Sequence, residues 1–220
     1  VQELSDGRGG DAGESALIGA GSAEIAKLAV GGTCAAVAAV CKGEIDNAYA
    51  LTRPPGHHAE RDKGRGFCIF NNIGLAIMQA QADKLVQRVA VIDWDVHHGN
   101  GTQQAFYDSA DVLTLSIHQE MLYPVNLGTI GEQGENAGHG HNINIPLPAG
   151  SGGGAIRRTG APLMRDASAA RGRAAAARGI LSARDQAPVS SFRPPHFGDG
   201  VDAMDLSMHF GSRSSSNGQP

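Results

Sequence analysis

The sequence predicts an α/β fold built on a parallel sheet. Two apolar runs, 89–92 and 112–117, have the length and composition of buried strands, and segments with helical spacing of apolar residues lie between and before them. Strands that alternate with helices are typical of parallel sheets. Because functional loops in such sheets gather beyond the carboxyl ends of the strands, we expect residues 53–58, 93–100 and 116–118 to meet at one edge.

The first part of the chain predicts helices that lead to a short strand. Residues 5–13 are rich in Gly and Asp and predict a loop. The Ala-rich segment 15–42 predicts two helices, because Gly31-Gly32 interrupts it and Thr33 is a suitable N-cap for the second. A short strand over 48–51 is expected to end before the prolines at 54 and 55.

The remaining elements follow in alternation up to residue 155. The same local signals predict a helix over 72–86, a short helix over 101–107, a long glycine-rich loop over 123–140, an edge strand over 143–147 and a turn over 150–154. After residue 155 the composition changes to Arg among Ala, Gly and Ser, without a clear strand before the polar tail 212–220. Within this part, 167–181 is compatible with either a surface helix or an irregular segment.

Composition limits the class of protein. With 220 residues, 41% hydrophobic and 18% charged, the chain has the balance of a globular domain. A net charge of −4 provides no basic surface for nucleic acid, and no apolar run approaches the length needed to cross a bilayer. Three cysteines without disulfide or zinc-finger spacing, and the absence of a secretory signal, predict a cytoplasmic protein, or a nuclear one in a eukaryote.

The run Asp93-x-Asp95-x-His97 is the strongest chemical signal in the sequence. It follows the buried strand 89–92, and alternate residues of a continuing strand share one face. A catalytic zinc ion takes nitrogen and oxygen ligands from three protein groups, and a second carboxylate often orients an imidazole nearby. Asp95 and His97 suit metal ligands, whereas Asp93 suits the orienting role.

A histidine pair, His57-His58, follows Pro54-Pro55-Gly56. By itself such a pair predicts an ordinary turn with exposed or hydrogen-bonded imidazoles. The presence of Asp93 and Asn100 favours a catalytic pair instead, because a carboxylate raises the pKa of one imidazole and an amide leaves the other freer to titrate near neutrality. For His98 a structural hydrogen bond is the favoured interpretation.

These motifs together resemble the zinc-dependent histone deacetylase superfamily, over roughly residues 9–155. At Asn100 and Asn71-Asn72 the sequence resembles the class II branch and its bacterial amidohydrolase relatives more than class I. The motifs that carry the resemblance are Arg53 to Ala59, Gly66 to Asn72, Asp93 to Thr102, Ser116 to His118 and Gly138 to Leu147.

The resemblance implies a three-layer arginase/deacetylase-like fold, incomplete at both ends, and a role for each matching residue. Asp95 and His97 would bind Zn2+, His57 and His58 would be the catalytic pair, and Asp93 and Asn100 would support them. The wall of the substrate channel would be formed by Gly66, Phe67 and Tyr123. A structural K+ would be held by Asp93, Asp95, His97, Ser116 and Ile117, in keeping with the preference of hard cations for oxygen.

The implied function is zinc-dependent hydrolysis of the acetyl amide of N-acetyl-lysine in proteins or of a small acetylated amine such as an acetylpolyamine. Neither nucleic acid nor membrane is an expected partner. An arginase-like ureohydrolase is a weaker alternative, since it would need ligands for two manganese ions. A catalytically inactive fragment or binding module is the third reading.

Two parts of the family's machinery are missing from the sequence. The third zinc ligand is expected in a Gly-Phe-Asp-Ala run, and the sequence offers Asp202, in Gly-Val-Asp-Ala, or Asp185 without a motif. The Gly-Gly-Tyr run that supplies a transition-state donor is absent from the sequence. We therefore divide the chain into a partial catalytic domain, 9–155, and a divergent tail, 156–220, that is disordered or translated out of frame.

Overall fold

The computed structural model describes residues 1–159 and, beyond them, the backbone of two short strands. The helices are α1 (Gln2–Asp6), α2 (Ser22–Cys41), α3 (Asn72–Ala82), α4 (Asn100–Phe106) and α5 (153–159), with a 3-10 turn at Asn136–Gly138. The strands are β1 (Gly10–Asp11), β2 (Gly13–Glu14), β3 (Leu17–Ile18), β4 (Asn47–Ala48), β5 (Gly64–Arg65), β6 (Arg88–Asp93), β7 (Val112–Gln119), β8 (Asn142–Leu147), β9 (Ala174–Ala177) and β10 (Met208–His209).

The main sheet has the order β8-β7-β6-β9, and each neighbouring pair is parallel. This confirms the predicted class, and β8 lies at the edge where a strand was expected. In the register of β6 and β7, Asp93 is opposite Ser116. The carboxyl ends of these two strands are therefore level, and the polar residues that follow them emerge side by side.

Helices cover both faces of this sheet. On one face, Val89 and Val91 of β6 pack in a buried cluster with α2, α3 and α4. On the other face, Ile92 and Leu115 form a second cluster against which Ile156 of α5 packs. The alternation of side chains along β6 thus serves two cores, which explains why the strand is apolar without interruption. The predicted three-layer α/β architecture is confirmed.

Helix α3 follows its local sequence closely. The side chain of Asn71 accepts a hydrogen bond of 2.9 Å from the amide of Gly74 and so caps the helix. Ile73 and Ile77, with other small apolar residues at helical spacing, face the core. The helix ends at Ala82 rather than at the predicted residue 86, because Lys84 takes a positive φ of 57° that terminates the helical path.

The prediction of two helices over 15–42 is wrong. Helix α2 runs without a break through Gly31 and Gly32, and Thr33 lies inside it with its hydroxyl donating to the carbonyl of Ala29 at 2.9 Å. An added Cβ at Gly31 would meet nothing within 4 Å, so this glycine is not required by close packing. The buried face of the helix, packed against α3, stabilises the helical conformation enough to offset the low propensity of two glycines.

Helix α2 also corrects the statement that no apolar run could cross a bilayer. Over Ser22–Cys41 it is long and apolar enough to do so by length and composition, with a mean hydropathy of 1.5. A core helix passes the same test, and Val37 and Val40 of α2 lie in the cluster shared with α3 and β6. Its apolar composition is therefore weak evidence for a membrane segment.

Three other local predictions differ from the structure. The predicted loop 5–13 contains the end of α1 and the short strands β1 and β2, and the predicted strand 48–51 is reduced to Asn47–Ala48, which pairs with β10. Within 167–181, the four residues that the structure describes form β9, parallel to β6, so a helix is wrong there. The rest of that segment and the polar tail 212–220 lie outside the described residues.

Candidate active site

Backbone contacts bring the histidine loop to the end of the sheet. The carbonyl of His57 accepts hydrogen bonds from the amides of Gly101 and Thr102, at 2.9 and 3.3 Å, in the first turn of α4. An added Cβ at Gly56 would lie 2.5 Å from the amide nitrogen of Asn72, so the chain passes α3 too closely for any other residue. The first two loops expected to meet at this edge therefore do so.

His57 is paired with Asp93. Its Nδ1 lies 2.8 Å from Oδ2 of the carboxylate, and the two side chains are 11% and 9% exposed. Burial disfavours the charged imidazole, but the charge and hydrogen bond of Asp93 outweigh burial and raise the pKa of His57 to about 9. Near neutral pH His57 is therefore an imidazolium.

His58 has an uncharged partner. Its Nδ1 lies 2.8 Å from Oδ1 of Asn100, and the ring centroids of His57 and His58 are 3.9 Å apart. Burial, and then the neighbouring charge of His57, lower the pKa of His58 to about 3. The two adjacent imidazoles thus differ in charge near pH 7, one protonated twice and the other once.

Asp95 and His97 converge at the mouth of this site. Oδ1 of Asp95 lies 3.0 Å from Nδ1 of His97 and also accepts a hydrogen bond of 2.8 Å from its backbone amide. Two ligand atoms that each lie about 2 Å from one zinc ion would be separated by a distance close to that between Oδ1 and Nδ1 here. These residues therefore fit two ligand positions. Hydrogen bonds from His97 lower the pKa of Asp95 against the opposing effect of burial, which keeps the carboxylate ionised.

A third ligand is not supplied by the part of the chain that the structure describes. Within residues 1–159, no group of three or more His, Cys, Asp or Glu side chains is arranged to hold a metal ion. The two candidates named from the sequence, Asp185 and Asp202, both lie outside the described residues. The fit to zinc therefore rests on the donor pair Asp95 and His97.

The residues expected to form the channel surround His58. The ring of Tyr123 stands edge-on to that of His58, with centroids 5.1 Å apart. At Gly66, where φ is +49°, an added Cβ would be 2.5 Å from Cδ2 of His58 and 2.8 Å from Cε1 of Tyr123. Phe67 is half exposed beside it. Gly66 and Tyr123 therefore pack directly against the ring of His58.

The side chains of Ser116 and Ile117, which were expected near a structural potassium ion, point to opposite faces of the sheet. Ser116 faces the site side of the sheet, where its hydroxyl lies 2.9 Å from Nδ1 of His118 and 3.3 Å from Nδ1 of His98. The side chain of Ile117 is buried in the cluster on the opposite face, so only its backbone is available to a cation. His98 is buried, with 2% of its surface exposed.

Sequence reasoning missed two charged residues behind the histidine pair. Oε1 of Glu60 accepts a hydrogen bond of 2.7 Å from Nδ2 of Asn100 and one of 2.8 Å from Arg65. Arg65 also forms a 2.8 Å ion pair with Glu14. Glu60 could have been noticed because it follows His58 by two positions. Its partner Asn100, however, lies 40 residues away in the sequence.

The model of the histone deacetylase domain family matches residues 2–170 of this chain. A histone deacetylase-like amidohydrolase from Pseudomonas aeruginosa is 53% identical over 135 residues, covering 61% of this chain and 36% of that protein. The histone deacetylase clr3 of Schizosaccharomyces pombe is 46% identical over 124 residues, or 53% of this chain and 18% of that protein. The chain therefore spans well under half the length of these relatives.

Solved structures show the same fold. The HD domain of HDA15 superposes with a TM-score of 0.70 at 34% identity, covering 76% of this chain and 49% of that structure. The acetylpolyamine aminohydrolase from Burkholderia pseudomallei has a TM-score of 0.69 at 38% identity, covering 75% of this chain and 48% of that structure. The arginase/deacetylase-like assignment made from the sequence motifs is confirmed by these likenesses.

Proposed function

This chain belongs to the histone deacetylase family, and from that premise we propose that it carries the histidine pair and two zinc ligands of a deacetylase. The substrate would be the acetyl amide of an N-acetyl-lysine in a protein or of a small acetylated amine. The observation that carries the proposal is the unequal pairing of two adjacent imidazoles, His57 with Asp93 and His58 with Asn100. Amide hydrolysis needs one group to accept a proton and another to hold a positive charge.

His58 is the group that accepts the proton. Its pKa, lowered to about 3 by burial and by the charge of His57, leaves the imidazole neutral near pH 7. Because Nδ1 is engaged with Asn100, the lone pair of Nε2 is available for the proton of an attacking water. Water adds to the acetyl carbon, and its proton goes to His58.

His57 holds positive charge beside the reacting carbonyl. Asp93 keeps it protonated, and an imidazolium at this position stabilises negative charge that develops on the acetyl oxygen. As the carbon–nitrogen bond breaks, a histidine of the pair returns a proton to the leaving amine, which gives acetate and a free amine. The aromatic ring of Tyr123 and the backbone of Gly66 would line the channel through which the acetylated chain enters.

Asp95 and His97 would hold the metal ion. Zinc, when bound, polarises the acetyl carbonyl and makes water more acidic. We propose the third ligand as Asp185 or Asp202, and a potassium ion beside Asp93 and Ser116 as structural support. A cytoplasmic location, or a nuclear one in a eukaryote, accompanies the proposal, because the three cysteines lack disulfide spacing.

Metal analysis and hydrolysis assays of the 220-residue chain test the function. One zinc ion per chain, with release of acetate from an acetyl-lysine peptide or an acetylated diamine, is the expected result. If His57→Ala/His58→Ala retains zinc but hydrolyses neither substrate, the histidine pair is assigned to catalysis. Two manganese ions per chain would point instead to a ureohydrolase, and no metal and no hydrolysis would identify an inactive binding module.

The rates of acetate release from the peptide and from the diamine distinguish a protein deacetylase from an acetylpolyamine hydrolase. A protein deacetylase would release acetate from the peptide at least tenfold faster than from the diamine, and an acetylpolyamine hydrolase would show the reverse order. His139→Ala, at an exposed histidine, is the matched control for removal of an imidazole.

A further inference from the structure

The carboxamide of Asn100 lies between a histidine and a carboxylate. Its Oδ1 is 2.8 Å from Nδ1 of His58, and its Nδ2 is 2.7 Å from Oε1 of Glu60. A second, longer contact of 3.3 Å joins Nδ2 to the backbone carbonyl of His58. Asn100 is 4% exposed, so water does not compete freely for these positions.

This arrangement decides which way the amide is oriented. An ionised carboxylate only accepts hydrogen bonds, so the atom of Asn100 that faces Glu60 must be the NH2 group. The oxygen is then directed at His58, and Nδ1 of that imidazole must be its donor. The neutral ring consequently carries its proton on Nδ1 and leaves Nε2 unprotonated.

Glu60 is itself held in place. Arg65 donates to the same oxygen, Oε1, at 2.8 Å, and the two side chains are only 14% and 12% exposed. Lys63 lies 3.8 Å from the other oxygen. The fork of Arg65 is fixed at its far side by Glu14 at 2.8 Å. The carboxylate thus lies at a defined position relative to Asn100.

We propose that Glu60 is a positioning residue for His58: by orienting the carboxamide of Asn100 it holds the imidazole in the tautomer whose Nε2 can accept a proton. The catalytic significance of that tautomer rests on the function proposed above, whereas the tautomer itself does not. The side chain of Glu60 reaches His58 only through Asn100.

The tautomer of His58 is measured directly by nitrogen-15 NMR of the imidazole ring in the metal-free, full-length chain, with the signal assigned from His58→Gln. In the wild type we expect the Nδ1-protonated form. In Glu60→Ala the carboxamide can turn over, and the ratio of the two tautomers should shift by roughly tenfold toward the Nε2-protonated form. Glu60→Gln keeps an acceptor oxygen and should restore much of the wild-type ratio.

Glu14→Ala is the matched control. It removes the other carboxylate that pairs with Arg65 but has no contact with Asn100, so the tautomer of His58 should stay as in the wild type. An unchanged tautomer in folded Glu60→Ala, or an equal shift in Glu14→Ala, would overturn the proposal.

A second pair of variants keeps the test decisive if Glu60→Ala fails to fold. Glu60→Leu keeps most of the side-chain volume but removes the acceptor, so it should shift the tautomer in the same direction. In Asn100→Asp/Glu60→Leu both oxygens of the new carboxylate only accept hydrogen bonds, so Nδ1 of His58 should again be protonated, and failure to restore it would contradict the proposal. Where the chain hydrolyses substrate, Glu60→Ala should lower kcat at nearly constant KM. A tautomer shift without any wild-type hydrolysis would refute the function and leave this inference standing.

Discussion

His57 and Asp93 form a buried ion pair whose atoms, Nδ1 and Oδ2, are 2.8 Å apart although the residues are separated by 36 positions in the sequence. The pair lies where β6 ends, and the neighbouring His58 is turned to an amide instead of a carboxylate. The two imidazoles differ in charge because both are buried and only His57 has a carboxylate partner that offsets burial. It is the basis of the predictions on pH below.

The ion pair makes stability fall at alkaline pH. The pKa of His57 is raised from 6.5 to about 9, so its contribution to the free energy of unfolding is complete below pH 6.5 and is lost as the pH rises through 9. Urea unfolding at a series of pH values should show this decline. In Asp93→Asn the decline should disappear, and stability at neutral pH should fall by about 3–5 kcal/mol, because one partner of a buried pair is left alone. A wild-type curve that stays level across this window would contradict the assignment.

Buried neutral histidines produce a separate loss of stability in acid. Burial and neighbouring histidine charge lower the pKa values of His58 and His98 from 6.5 to about 3. Their contribution is present above pH 6.5 and is lost as the pH falls toward 3, since the unfolded chain binds protons that the folded chain excludes. His98→Gln should flatten this part of the curve of unfolding free energy against pH. His139→Gln, at an exposed position, should leave its shape unchanged.

A methyl group at Gly66 should close the cleft beside His58. The added Cβ would lie 2.5 Å from Cδ2 of His58 and 2.8 Å from Cε1 of Tyr123, at a φ of +49°. With the proposed function, Gly66→Ala should weaken binding of an acetyl-lysine peptide at least tenfold in calorimetry. Gly43→Ala is the control, because its φ is +73° but nothing lies within 4 Å of the added atom. It should cost about 1 kcal/mol of stability and leave binding intact. Equal loss of binding in both variants would indicate general strain.

The core between α3 and the sheet should be sensitive to loss of volume. Ile77 is 1% exposed and packs in the cluster that contains Val37 and Val89. Ile77→Ala should lower the free energy of unfolding by about 2–5 kcal/mol, through lost burial and a residual cavity. Met78, the next residue, is 42% exposed, and Met78→Ala should cost less than about 1 kcal/mol in the same urea titration. Similar losses for the two variants would show that this helix face is not the core.

Much of the fold followed from patterns in short stretches of sequence. The continuous apolar runs at 89–92 and 112–117 predicted β6 and β7, because a strand of a parallel sheet is covered on both faces and needs apolar residues on both. The spacing of Ile73 and Ile77 predicted α3, although not its end. The continuity of α2 was not predictable, since two adjacent glycines argue for a break and only packing against α3 outweighs them.

By itself the sequence determined the α/β class, the identity of the loops that meet, and the family, since these depend on residue types at fixed spacing. The motifs also implied that Asn100 supports the histidine pair, whereas tertiary structure alone decided that Glu60, 40 residues distant, accepts a hydrogen bond from its amide. Such contacts have no local signature, because their free energy exists only once α4 and the histidine loop are packed together. Proton placement in this site is therefore a property of the folded arrangement.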